Sequence, residues 1–209
     1  MKPDVSALTP MEHRRARRRL KQQRELAEAA VALAREKGFA NTTVEEIANA
    51  ADYSVSTFFR LFPRKEDVIF FDLRERLGAM LEDFVRDDHE SVWATVRRTF
   101  IDNARRWESS DPEFALARIR LFQTESALTL RYLENMAEWE AAVAAMVARE
   151  RGVDSDDFEC WLVASMAVAA FRAAFSAQLA NDKTHLADYL ERAFDTLEVG
   201  FAARGLTSA

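Results

Sequence analysis

The 209-residue chain has a single cysteine, Cys160. No disulfide can form within it, which fits a reducing cytoplasm, the expected location. Cys160 sits between Glu159 and Trp161 in an apolar run, so it reads as a small core residue rather than a redox sensor. Glycine and proline are scarce, at 5 and 4. Neither occurs from Glu113 to Arg151 or from Val153 to Val199. Turn-rich β folds need these residues at short intervals, so their absence favours long helices. The three histidines, His13, His89 and His185, lie far apart, with no metal-ligand spacing to Cys or to one another. The chain also lacks a glycine-rich phosphate loop and a nucleophile elbow. The expectation is a non-enzyme with no metal or other cofactor. No apolar run follows the basic N-terminus, so no signal peptide is expected. The apolar stretch Cys160–Phe175 is shorter than a membrane span and contains Arg172. It reads as a buried helix, and no membrane partner is expected.

What is present is an uneven distribution of charge. The chain carries −6 overall. Residues 1–65 hold 13 basic and 8 acidic side chains, a surplus of five, so the remainder carries −11. A basic head on an acidic body suits a nucleic-acid-binding module joined to a second domain. A solvated charged arm on an unrelated helical protein is the bland alternative. The periodicity predicts an all-α fold of about nine helices. After a polar, disordered arm at 1–11, helices are expected at Glu12–Lys37, Val44–Ala51, Val55–Leu61, Lys65–Asp87, Glu90–Glu108, Pro112–Phe122, Glu125–Arg151, Asp156–Ala180 and Thr184–Ala203. Gly38 suits a C-cap after the first. Thr43 and Glu46 have capping-box spacing, Ser54 can cap the third helix, and Phe62-Pro63 stops it. Two short helices joined by a tight turn form a helix-turn-helix unit. Ile47, Ala48, Ala51, Phe58 and Phe62 are its expected core.

The run from Thr43 to Asp67, including Thr57-Phe58-Phe59-Arg60 and Phe62-Pro63-Arg64-Lys65-Glu66, resembles the DNA-binding signature of the TetR family. The preceding helix ending in Gly38-Phe39 matches as well. The resemblance covers about residues 20–70. It implies an N-terminal three-helix DNA-binding domain (12–64) and a C-terminal helical ligand-binding and dimerisation domain (65–209). It implies a regulator of transcription, most simply a repressor released from a palindromic double-stranded DNA operator by a small hydrophobic or acyl-type effector. A helical interaction or architectural protein without ligand control is the competing reading, and activation in place of repression stays open. Candidate DNA contacts are Ser54, Val55, Ser56, Thr57, Phe59 and Arg60 around the second short helix, where Arg60 can read guanine. Thr43 and Lys65 stand at helix starts, where backbone N–H groups favour phosphate. Arg17 and Arg18 in the basic arm suit a narrow minor groove or general phosphate attraction. Asp52 and Ser56 replace glycines common in the family. Phe59 and Leu61 stand where it often has tyrosine, so Phe59 is either a contact or packing alone.

Behind the head, the last two helices carry apolar stripes that suit either a homodimer interface or an intramolecular core. Large apolar residues on the middle helices suggest a ligand cavity: Trp93, Phe100, Trp107, Phe122 and Trp139. Arg172 stands between apolar turns. It meets either an anionic ligand or a carboxylate such as Glu125. The Thr57–Arg60 version of the motif resembles a subgroup linked to acyl-CoA-like ligands.

Overall fold

The computed structural model describes residues 10–85, 89–181 and 184–200. Among them are nine α-helices and no strand. They are α1 (Pro10–Lys37), α2 (Val44–Ala50), α3 (Val55–Leu61), α4 (Leu73–Glu82), α5 (Val92–Ser110), α6 (Pro112–Thr124), α7 (Ser126–Arg151), α8 (Phe158–Ala180) and α9 (Leu186–Val199). The all-α expectation holds. The chain divides into two compact units: 1–72 with 121–131, and 73–120 with 132–209. Residues 1–9 of the expected disordered arm lie outside the described residues. Pro10 and Met11 already belong to α1, where proline suits the first helical turn.

The first unit is built on α1, whose buried Leu26, Ala27, Ala30, Val31 and Ala34 follow helical spacing. Before Lys21 every turn of α1 is exposed. Gly38 ends the helix at φ 82, the left-handed C-cap conformation. The capping box forms as its spacing predicts. The Glu46 N–H donates to Thr43 Oγ1 at 3.2 Å, and the Thr43 N–H donates to Glu46 Oε2 at 2.8 Å. Ser54 caps α3 by accepting the Thr57 N–H at 3.1 Å. Ile47, Ala48, Phe58 and Phe62 are buried as expected, while Ala51 is half-buried. Asp52 takes φ 58, which explains a family preference for glycine at this turn. Asp52→Gly is therefore expected to be tolerated. Asp52→Val should cost about 1–2 kcal/mol, read as a lower midpoint in denaturant unfolding.

The expected continuous helix Lys65–Asp87 does not form. A 3-10 turn spans Lys65–Val68, and α4 starts only at Leu73. Val68, Ile69 and Phe70 are buried in succession. Consecutive α-helical side chains point about 100° apart, so one helix face cannot bury three in a row. The tighter, irregular path can. Residues 121–131, at the junction of α6 and α7, complete this unit. Glu125 Oε1 accepts the Phe39 N–H at 2.8 Å, and Arg131 Nε donates to Asp67 Oδ1 at 2.7 Å. Leu128 is fully buried.

In the second unit α8 packs on α9 and α5, and α5 also packs on α9. Its core includes Val96, Phe100, Val143, Val147, Ala164, Ala167, Leu190 and Phe194. Glu108 ties three segments together, accepting from Gln178 Nε2 at 3.0 Å and from the Leu186 N–H. Cys160 is buried and burial pushes its thiol up, consistent with an inert core cysteine. Gly200, at φ 80, follows the end of α9.

Burial raises the Tyr132 phenol to about 12, against a weaker opposing effect of Arg172. A pKa raised in the folded state gives stability that is complete below pH 10 and is lost as pH rises toward 12. The loss is expected to reach on the order of 2–3 kcal/mol. Tyr132→Phe should flatten this alkaline decline, as checked by urea unfolding from pH 9 to pH 11.5.

Candidate nucleic-acid interface

The candidate recognition surface follows from how seven residues of α3 are divided between two faces. Phe58 and Leu61 are buried on one face, and Phe62 joins them at the C-cap. Ser56, Phe59 and Arg60 are exposed on the other. Phe59 keeps 51% of its surface open, with its ring edge-on to Phe58 at 5.6 Å. Phe58 is in turn 5.3 Å from Phe62. Phe59 is thus packed on one side and open on the other, which suits either reading of it.

Val55 and Thr57 are half-buried, and Ser54 and Thr57 share a hydroxyl hydrogen bond of 3.0 Å. The Ser54 hydroxyl is thus committed to shaping the start of α3. The Thr43 hydroxyl is exposed, and its accepting side is used by the α2 cap. Its own backbone N–H is held by Glu46. The Glu46 carboxyl is lowered to about 2, first by the Lys37 ammonium and then by the Thr43 backbone. Both effects favour the ionised carboxylate that accepts the cap hydrogen bond.

Lys65 has a structural task that the sequence did not show. Its ammonium donates to Phe39 O and Thr42 O, both at 3.0 Å, and lies 4.5 Å from the centre of the Phe39 ring. Lys65 thus staples the turn after α1 to the end of the helix-turn-helix. One N–H remains for a phosphate. Arg17 and Arg18 are exposed on the first turns of α1 together with Arg14, Arg15 and Arg19. They ride on a helix, so α1 presents them on successive turns and not on an extended thread.

The residues assigned to the second unit fall into two groups. Phe100 and Trp139 are buried, and each ring meets Phe171, at 6.5 and 6.2 Å. Trp107 packs against Phe175 at 6.0 Å. Trp93 lies 5.3 Å from Phe194, and its indole N–H donates to Glu198 at 3.0 Å, which places it at the rim of α5 and α9. Arg172 is exposed on α8. Glu125, offered as its partner, instead holds the Phe39 N–H. Phe122 lies on α6, but its side chain is outside the described residues. Among the described residues no cluster of His, Cys, Asp or Glu has the makings of a metal site.

Sequence reasoning named Glu125 only as a partner for Arg172 and missed its hold on the Phe39 N–H, and it missed the Asp67–Arg131 pair that braces the head. It also missed two buried amides of the second unit, Asn135 and Gln178. A polar residue at core spacing between Tyr132 and Trp139 was the available signal for Asn135.

Comparisons with known proteins agree with this geometry. Residues 26–70 match the family model for bacterial regulatory proteins of the tetR family. Residues 90–202, more than half the chain, match the MftR C-terminal domain model. The chain is 33% identical over 129 residues to the HTH-type transcriptional regulator TcmR of Streptomyces glaucescens, covering 58% of this chain and 56% of that protein. It thus spans little more than half of that relative. It is 24% identical over 191 residues to MftR of Mycobacterium tuberculosis, described as a mycofactocin biosynthesis transcriptional regulator, covering 91% and 96%. A solved TetR-family regulator of Mesorhizobium loti superposes with a TM-score of 0.54 at 20% identity, covering 89% of this chain and 98% of the other. With both units matched, the chain belongs to the TetR family of transcriptional regulators.

Proposed function

We propose that this TetR-family regulator is a repressor that binds a palindromic operator as a homodimer and is released by a small hydrophobic effector. The observation that carries the reading is the two-faced α3. Its Ser56–Phe59–Arg60 surface stays open while Phe58, Leu61 and Phe62 lock the helix from behind. That is the arrangement a helix needs to enter a major groove. The MftR C-terminal domain match supports a regulatory role for the second unit. Phe100, Trp107 and Trp139 are its candidate effector contacts, with Trp93 and Arg172 nearer the surface. The aromatic surroundings favour a ring-bearing effector over the acyl chain that the Thr57–Arg60 motif suggested. Such a regulator works in the cytoplasm.

A dimer is supported by α8. Phe158, Leu162, Met166, Ala169, Ala173, Ser176 and Ala180 fall within a narrow stripe at helical spacing. All are exposed or half-buried, and Phe158 is 75% exposed. The helix is long and apolar enough to cross a membrane by length and composition alone. Its opposite stripe is buried against protein, so the open stripe fits a second copy of the chain. Two recognition helices would then reach half-sites about 34–36 Å apart. Phe158→Glu with Leu162→Glu is expected to yield a monomer in sedimentation velocity and to weaken operator binding by at least tenfold. A variant that remains dimeric and binds normally contradicts this interface.

A further inference from the structure

The open stripe of α8 is graded along its length. Its first half carries the bulky Phe158, Leu162 and Met166, and its second half the small Ala173, Ser176 and Ala180, with Ala169 between them. Facing positions in a close-packed interface set large residues against small ones. Two copies packed in parallel about a two-fold axis would set bulk on bulk. Packed antiparallel with the axis at Ala169, Phe158 meets the partner's Ala180 and Leu162 meets the partner's Ser176. Sliding the copies by one turn leaves Phe158 or Ala180 beyond the end of the other helix.

One charge interrupts the stripe. Arg172 is exposed, and among the described residues no carboxylate pairs with it. It lies on the edge of the stripe next to α7, where its charge acts on the Tyr132 phenol. Ser165, two turns earlier on the same edge, donates to Glu140 of α7. About 10 Å of helix separates Ser165 from Arg172, which keeps Arg172 apart from its own Glu140. In the antiparallel register the two-fold axis runs across both helices, so like edges of the two copies lie side by side. Arg172 then stands level with the partner's Met166 and next to the partner's Ser165, within reach of the partner's Glu140.

We propose that α8 pairs antiparallel with α8 of a second copy about Ala169, and that Arg172 of each copy forms an ion pair with the partner's Glu140. The proposal rests on the homodimer reading and adds to it a register and a device for choosing the partner. The apolar stripe supplies area without selectivity. The Arg172 charge supplies the selectivity, because a related chain with no carboxylate at the place of Glu140 would bury that charge unpaired. The same pairing occurs twice, once on each side of the axis, so the penalty for a wrong partner is felt at both ends of the interface. The carboxylate expected to meet Arg172 then comes from the other copy.

The test uses the full chain with Arg172→Glu and Glu140→Arg, alone and mixed, in sedimentation equilibrium, with folding checked by circular dichroism. Each variant alone faces like charge on like charge and is expected to raise the dimer Kd at least tenfold. An equimolar mixture restores opposite charges at both places, so the two variants should form a heterodimer close to wild-type affinity. Single variants that dimerise like the wild type overturn the proposal and leave the homodimer standing. A mixture no tighter than its components also overturns it, since a role within one protomer cannot be rescued by another chain. A second measurement needs no charged variant to fold. Ala169→Cys should cross-link to its own copy under mild oxidation, and Ala173→Cys, set well off the axis, should not. Cys160 is buried, so the wild type serves as the uncross-linked control. The reverse pattern overturns the register. A wild type that stays monomeric throughout the micromolar range removes the homodimer reading itself, and the proposal with it.

Discussion

Phe58→Ala is expected to remove about 3–5 kcal/mol from the stability of the N-terminal unit. Phe58 is fully buried, packs against the rings of Phe59 and Phe62, and sits midway along a helix of seven residues. So short a helix has little stability of its own and depends on tertiary packing. Truncation leaves a cavity that the neighbours on α1 and α2 cannot fill without moving their caps. The effect should appear as a loss of native helicity at lower urea concentration. DNA binding should fail under conditions in which the remainder of the chain stays folded. Phe59→Ala is the contrast. With half its surface open, it should cost far less stability and act mainly on DNA affinity.

Arg60→Ala should leave stability within about 0.5 kcal/mol, as expected for an exposed site. It should weaken binding to the preferred operator by about tenfold to a hundredfold, corresponding to about 1–3 kcal/mol for a bidentate base contact. The loss should be much smaller on random DNA, because a base contact carries sequence information and a phosphate contact does not. Replacing both Arg17 and Arg18 by glutamine should do the reverse. It should weaken binding on all sequences alike and reduce the salt slope by up to about four for the two protomers together. A double variant that changes only specific binding would instead place these arginines in the minor groove.

The head was legible in the sequence because its instructions are local. Thr43 and Glu46 are three residues apart, Ser54 adjoins the helix it caps, and Phe62-Pro63 marks a stop in two residues. Asp52 stands at a turn that needs a left-handed residue, and its φ of 58 bears this out. What was not legible depends on distant partners. The Glu125–Phe39 hydrogen bond joins residues 86 positions apart, and no local pattern announces that the α6–α7 junction belongs with the head. The break in the expected Lys65–Asp87 helix arises for a similar reason. Val68, Ile69 and Phe70 all find cover from different directions, which helical periodicity cannot foresee. The place of Lys65 at a helix start suggested phosphate, and nothing in the sequence signalled that two carbonyls from the turn after α1 claim its ammonium.

In the second unit the sequence pointed to large apolar residues without ranking them. Packing separates Trp139 and Phe100, buried against Phe171, from Trp93, which is tied to Glu198 at the rim. Aromatic residues at core spacing look alike in a sequence whether they fill a core or face a ligand.

The central claim is sequence-specific DNA binding by the first unit. It is tested most directly by fluorescence-anisotropy titration of the full chain against the DNA upstream of its own gene, at several salt concentrations. The account predicts saturable binding to one palindromic site by two protomers, about a thousandfold tighter than to random DNA. Weak binding that is equal on all sequences and vanishes with salt would contradict it, leaving the arginines of α1 as a general electrostatic patch.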